Sequence, residues 1–388
     1  VPSLTIAQAT PHPVGSGTEV DRFVRRAGDE LAARGHRVLI VAPSSDGEEV
    51  REARSALKRP DELFSADGAP RVLAVGEVLG PFGSSRRASV PVDVTRAVEA
   101  LHAADVLDVC HVHEPFAPSV PSATLRHSRA LNVGTFHLPT ERVVSTQVAR
   151  KVVELVFGRL DARVATWEAT AQLMGRFFPA GYRVVRPGVD YAPPAAPRGD
   201  GPLRIAFVEE EERPALRVFL RALRVLDPAL PWEAVVLSSR GPSASTPLRA
   251  DLRARVDFVD PDGTSEADLL AGADILVAAS DGTSPVPGLL ARARGARVVP
   301  VASRLPVYEE VLGDGDDGLL FEPRDTDTLA AQLERLIRDR DLRERLVADE
   351  ERRPWSTAVD ELEQVYADLV ARRHDGRGRP DVARRLAG

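Results

Sequence analysis

Short apolar runs alternate with helical stretches along nearly the whole chain, and the alternation stops once and then restarts. SLTIAQA (3–9), HRVLIVAP (36–43), RVLAVG (71–76) and DVCHVHEP (108–115) are the first four runs. NVGTFHLP (132–139), ARVATW (162–167) and YRVVRPGVD (182–190) continue the series. Between the first two, DRFVRRAGDELAARG (21–35) sets Val24, Ala27, Leu31 and Ala32 on one helical face and stops at Gly35. Further helices are expected near 92–104 and 145–159, and the charged stretch 45–66 reads as a mobile insertion. Continuously apolar strands separated by helices are what a parallel sheet covered on both faces requires. Right-handed crossovers leave few other folds open to such a pattern.

YAPPAAPRGDGP (191–202) has the composition of a linker. After it the pattern resumes with LRIAFV, a helix at 214–226, WEAVVLSS, RVDFVD, a helix at 265–271, ADILVAA and RVVPVAS. LLFEP (319–323) then precedes a long helical region from Asp325 to about Leu346. Two such arrays predict an α/β protein of two Rossmann-like, doubly wound domains facing across a cleft. With 388 residues there is chain enough for two cores.

Composition narrows function mainly by exclusion. The net charge of −7 gives no electrostatic reason to expect nucleic acid. One cysteine, Cys110, rules out an internal disulfide framework and leaves no cysteine cluster for zinc. No apolar run approaches the ~18 residues of a membrane span, and a cytoplasmic protein is expected. Lys58 and Lys151 are the only lysines, so any cation the second half needs must be arginine.

Three stretches go further. DVCHVHEPFAPS (108–119) with VGTFH (133–137) resembles the N-terminal domain of group 1 retaining glycosyltransferases, and most of all that of the actinobacterial phosphatidylinositol mannosyltransferases. The GVD at 188–190 is similar to that family's domain crossing. EEVLGDGDDGLLFEPRDTDTLAAQLERLIRDRDLRERL (309–346) resembles its C-terminal signature, and PWSTAVDELEQVYADL (354–369) its final helix. The resemblance covers most of the chain. It implies a GT-B fold: an acceptor-side domain over 1–190, the linker 191–202 and a nucleotide-sugar domain over 203–355. A helix over 356–371 would cross back to the first domain, followed by a basic tail, 372–388.

The resemblance also implies site residues. Gly15, Ser16 and Gly17, in PVGSGTE, would bring backbone close to a donor diphosphate, because glycine admits positive φ. The other reading is an ordinary turn. His137 in GTFH matches the histidine that contacts the transferred sugar, with an imidazole donating to a sugar hydroxyl; the alternative is a structural histidine bonded to backbone. His113 and Glu114 match an acceptor-cleft segment, against a loop-shaping pair.

The second half departs from the family pattern. Where an arginine and a lysine should balance the diphosphate stands AFVEEEERPALRVFL, with Glu209 and Glu210 near the expected arginine and Pro214 near the lysine. Arg213 is the adjacent cation, and Arg217 or Arg240 are further candidates. The acidic run by itself reads as a solvated loop. Active relatives carry two glutamates in the pattern E-x7-E, on the loop and helix that here read SDGTSPVPGLLARARG (280–295). Counting back from Gly295 puts Gly282 and Leu290 at those positions, with Asp281 the nearest carboxylate and Thr283 and Ser284 the other polar side chains. A charged hydrogen bond to phosphate is worth about 1.5–3 kcal/mol, so losing two cations weakens donor binding on the order of 10³-fold.

The expectation is therefore a glycosyltransferase-like protein with an eroded nucleotide-sugar site, weakly active or non-catalytic, needing neither cofactor nor metal. The alternative is an active retaining hexosyl transferase, mannosyl-type, acting from a nucleotide sugar on a lipid or small-molecule acceptor. A non-catalytic chain would pair with an active paralogue or with itself. Arg86, Arg87 and Arg96, countered by Asp93, Glu99 and Asp105, allow at most weak peripheral contact with the inner membrane face.

Overall fold

The computed structural model describes residues 2–60, 63–65, 67–77, 91–104, 106–117, 119–137, 157–190, 201–241, 250–347 and 353–374. Most of the expected linker (191–200), Arg86 and Arg87, most of the helix expected at 145–159, and the tail from 375 onward lie outside these residues. The chain divides into two compact units, Val1–Gly188 with Trp355–Gly388, and Val189–Pro354.

The first unit holds β1 (Thr5–Ala9), β2 (Arg37–Ser44), β3 (Arg71–Glu77), β4 (Val109–His113), β5 (Leu131–Phe136), β6 (Ala162–Ala165) and β7 (Arg183–Val184). They form a seven-stranded sheet in the order β3-β2-β1-β4-β5-β6-β7, with every pairing parallel. Helices α1 (Glu19–Ala33), α2 (Gly47–Ala56), α3 (Pro91–Ala103), α4 (Val120–His127) and α5 (Glu168–Phe177) accompany it. The chain winds outward in both directions from β1 and β4. Between the carboxyl ends of these two strands lies the switch point where doubly wound sheets bind ligands.

The second unit repeats the winding. Strands β8 (Leu203–Val208), β9 (Trp232–Leu237), β10 (Val256–Val259), β11 (Ile275–Ala278), β12 (Val299–Ser303) and β13 (Leu319–Phe321) lie in the order β10-β9-β8-β11-β12-β13, again all parallel. Its helices are α6 (Arg213–Val225), α7 (Ala250–Arg253), α8 (Glu266–Ala271), α9 (Pro287–Gly295), α10 (Pro306–Val311), α11 (Thr326–Arg338) and α12 (Arg340–Leu346). Helix α6 buries Ala215, Val218, Phe219, Ala222 and Leu223, a 3.6-residue stripe, and Phe219 stacks on Phe207 of β8 with ring centroids 5.0 Å apart. The switch point of this unit lies between β8 and β11.

The final helix, α13 (Trp355–His374), belongs to the first unit. Ala358, Val359, Leu362, Val365, Tyr366 and Leu369 are buried in one core with Ile6, Phe23, Leu31, Val109 and Val133. Arg34, at the end of α1, clamps the helix by donating to Asp360 (2.6 Å) and to the Ser356 carbonyl (2.9 Å). Gly188 explains the family-like GVD: a Cβ there would lie 2.5 Å from Trp355 Cα and 2.6 Å from its nitrogen. Only glycine lets the two backbones approach so closely.

Two expectations are corrected. The stretch 45–66 is not simply an insertion, because α2 forms within it. Asp46 caps it, accepting from Glu48 N–H, and Val50, Ala53 and Ala56 are buried on its inner face. The region from Asp325 to Leu346 is two helices, not one. Asp339 ends α11 and its side chain accepts from Leu342 N–H, so it starts α12 as well.

Candidate functional site

In the first unit the ends of β1, β4 and β5 bring a set of polar side chains together inside the core. His113, the last residue of β4, is fully buried, and its Nε2 lies 3.1 Å from Gln8 Oε1 on β1. Its Nδ1 is 2.9 Å from His137 Nε2, just beyond β5. His111, two residues earlier on the same face of β4, meets Tyr366 Oη of α13 and Thr135 Oγ1 of β5. Phe23 packs against His113 and edge-on against His137, with ring centroids 5.7 and 5.0 Å away. Burial drives the pKa of all three histidines down, to about 3 for His111 and His137 and well below the ordinary value for His113. All three are therefore neutral at physiological pH.

Neutrality together with the placement of the Gln8 amide oxygen sets the direction of the string. Gln8 Oε1 can only accept, so His113 Nε2 donates to it and His113 Nδ1 is left as an acceptor. His137 Nε2 must then donate to that Nδ1, which leaves His137 Nδ1 without a proton. In this arrangement the remaining ring nitrogen of His137, Nδ1, is an acceptor. Its backbone is equally engaged, the carbonyl taking bonds from Thr166 and Thr170 and the N–H donating to Glu114 Oε1 at 2.8 Å. Glu114 sits at φ 52°, and the bond from its own N–H to Thr135 O joins the strand ends. This pair shapes the loop, and His113 presents no surface to an acceptor.

The glycine loop after β1 has the expected backbone, with Gly15 at φ 82° and Gly17 at φ 72°. Its amides are not free. Asp21, buried in the first turn of α1, accepts from Gly15 N–H at 3.1 Å and Gly17 N–H at 3.0 Å, and Arg25 Nε donates to the same carboxylate at 3.2 Å. Ser16 N–H is bonded to Pro13 O. A phosphate entering here would have to displace Asp21.

In the second unit the acidic run is not a solvated loop. It leads from β8 into α6, and each of its last two carboxylates reaches across to the segment after β11. Glu211 is buried and accepts from Ala279 N–H (2.7 Å) and Tyr308 Oη–H. Burial pushes its carboxyl up to about 8, beyond what those two bonds recover. Glu212 accepts from Asp281 N–H, from Ser284 N–H (3.0 Å) and from Ser280 Oγ–H (2.9 Å). Glu209 is held by Ser238 and Arg240.

The residues expected to stand in for the paired glutamates are also accounted for. Asp281 is occupied by Arg324, 2.6 Å away, and by Thr283 Oγ1 at 2.7 Å. Burial opposes its ionisation, but the bonds from Thr283 and Arg324 outweigh burial and hold it far below the usual carboxylate range. Gly282 is at φ 93°, a conformation that strains any L side chain. Leu290 is fully buried. Arg213, the first residue of α6, is exposed.

A family model described as Glycosyltransferase Family 4 matches residues 20–192, and one described as Glycosyl transferases group 1 matches residues 203–339. The chain belongs to the group 1 glycosyltransferases. A phosphatidyl-myo-inositol mannosyltransferase of Mycolicibacterium smegmatis is 27% identical over 377 residues, covering 94% of this chain and 93% of its own. One from Propionibacterium freudenreichii is 25% identical, with 94% of each chain covered. Among solved structures, a sucrose-phosphate synthase from Thermosynechococcus elongatus has a TM-score of 0.69 at 19% identity, covering 95% of this chain and 99% of its own. Anabaena Alr3699/HepE, solved with UDP and glucose, has a TM-score of 0.66 at 15% identity, covering 94% and 100%. The fold of this glycosyltransferase is accordingly GT-B.

In this glycosyltransferase, sequence reasoning missed Asp21, Glu211, Glu212, Tyr308 and Arg324. One signal was available for the two glutamates. They directly follow a strand that the βα alternation makes the first of its unit, where ligand-facing loops begin. Nothing local marks Tyr308 or Arg324, which arrive from later βα units. No helix among the described residues is long and apolar enough to cross a membrane.

Proposed function

We propose that this protein is a mannosyltransferase-like group 1 glycosyltransferase whose nucleotide-sugar site is eroded, leaving it weakly active or non-catalytic. One observation carries the reading. At the two positions matched to the family's glutamates stand a glycine held at φ 93° and a fully buried leucine, and the nearest carboxylate, Asp281, is already paired with Arg324. Neither of those two positions offers a side chain that can accept the hydroxyls of a sugar or a ribose. Each such bond left unmade costs about 1–3 kcal/mol, and the missing phosphate cations add to the loss. A chain of this kind would act by association, with an active paralogue or with a second copy of itself.

The second reading, active retaining transfer of a hexose to a lipid or small-molecule acceptor, is favoured by the near full-length likeness to the phosphatidyl-myo-inositol mannosyltransferases. In that case His137 Nδ1 would accept from a sugar hydroxyl, and contact with a membrane surface would be peripheral. Calorimetric titration with GDP, UDP and ADP, free and as sugar conjugates, separates the two. Affinities of millimolar or weaker, without hydrolysis or transfer, are expected. Micromolar binding of any conjugate, with turnover that His137→Ala abolishes, would establish the second reading.

A further inference from the structure

The Glu212 carboxylate stands where an incoming anion would be expected to stand. It is the N-cap residue of α6, yet its side chain makes no capping bond to its own helix. It crosses instead from the end of β8 to the end of β11, the two strands at which the order of the second sheet reverses. There it collects three donors converging on one carboxylate: the N–H groups of Asp281 and Ser284 and the hydroxyl of Ser280. Ser280 Oγ is oriented for this by accepting from Gly282 N–H at 3.1 Å. Backbone amides converging in this way form an anion-binding concavity. Here the anion is supplied by the chain.

The first unit contains the same device, built from different residues. Asp21, in the first turn of α1, takes the amides of Gly15 and Gly17 in the loop after β1. In both units, therefore, an acid at the start of the helix that follows the first strand occupies amides at the sheet's switch point. The two are not equally open. Asp21 is buried, whereas Glu212 is half-buried and Ser284, one of its donors, is exposed.

We propose that Glu212 is a built-in competitor for phosphate in the second unit, so that a phosphate-bearing ligand binds there only by displacing its carboxylate. This rests on the reading of that unit as the nucleotide-sugar side, and it adds a cause of weak binding independent of the missing glutamates. A phosphate arriving with Glu212 in place meets donors already engaged and a like charge within hydrogen-bond distance of them. Arg324, the cation bonded to this loop, is committed to Asp281. With Glu212 neutralised or removed, the loop donors and the Ser280 hydroxyl become available to an oxyanion.

The test uses the full chain, titrated with inorganic pyrophosphate and followed by the amide resonances of Asp281 and Ser284 and by calorimetry. The wild-type protein is compared with Glu212→Gln, which keeps the shape but is neutral, and with Glu212→Ala. Glu344→Gln serves as a charge control, because Glu344 lies on α12, where it is paired with Arg340. Both Glu212 variants should bind pyrophosphate at least about tenfold more tightly than wild type, a gain of the order of one charge-assisted hydrogen bond. The shifts should centre on Asp281 and Ser284, and Glu344→Gln should leave affinity unchanged. Equal affinity in wild type and in both Glu212 variants, each shown to be folded by its retained amide spectrum, would overturn the proposal. So would a gain in Glu344→Gln matching that of Glu212→Gln, since that would reduce the effect to general charge. Robust sugar transfer by the wild-type protein would remove the eroded-site reading but leave this comparison of pyrophosphate affinities intact.

Discussion

Replacing Glu211 by glutamine should remove a pH dependence from the stability of the protein. Glu211 is buried with two donors, Ala279 N–H and the Tyr308 hydroxyl, and burial raises its carboxyl from 4.5 to about 8. The sign follows from proton binding: between these values the folded chain holds a proton that the unfolded chain has released. The stability contributed is therefore complete below the unfolded value and is lost as pH rises through the folded one. One such group gives a slope of about 1.4 kcal/mol per pH unit, so raising the pH from about 5 to about 8 costs on the order of 4 kcal/mol. Glutamine mimics the protonated acid and does not titrate. The stability of Glu211→Gln relative to wild type should thus rise by about that amount across this range. Comparing the two proteins at each pH cancels every other titrating group. Urea unfolding followed by circular dichroism measures the difference. A gap that stays the same at both ends of the range would mean that Glu211 is ionised in the folded protein, and the burial argument would fail.

Two further outcomes are expected, besides the nucleotide-sugar and pyrophosphate titrations already described. Gly188→Ala should lower stability by about 1–3 kcal/mol or more, because its Cβ would meet the Trp355 backbone rather than a side chain that could rotate away. An unchanged urea midpoint would show that the chain and α13 are not so closely apposed. The imidazoles of His111, His113 and His137 should keep neutral nitrogen chemical shifts down to about pH 5, since their stabilising contribution is present above the ordinary histidine value and lost only as pH falls toward the lowered one. Titration of any of them near 6.5 would contradict the string of bonds that directs His137 Nδ1 to accept.

The βα alternation carried the architecture because it is a local signal. A strand buried on both faces must be apolar throughout, a covering helix must be apolar on one stripe, and both rules act within a few residues. Helix α2 escaped notice for the same reason: with Val50, Ala53 and Ala56 as its inward face amid acids and arginines, its stripe is too thin to stand out. The break at Asp339 was hidden as well, because apolar residues continue on both sides of it and only the capping bond to Leu342 N–H divides them.

What the sequence determined by itself was which residue types stand at the ends of the strands: glycines after the first, histidines at the ends of the fourth and fifth, and a run of acids after the eighth. The glycines at 15 and 17 took the positive φ that their type permits. What those residues face was decided only by tertiary structure. Composition could not say that Asp21 would fill the amides of the glycine loop, or that Glu212 would cross to Asp281 and Ser284. It could not give the direction of the proton string from His137 through His113 to Gln8, which depends on three strands meeting at one end of a sheet. The reason is physical. Backbone conformation is set within a residue or two, whereas a buried charge or hydrogen bond is settled by whichever partner the fold brings within 3 Å or so, as between His111 and Tyr366, 255 residues apart in the chain.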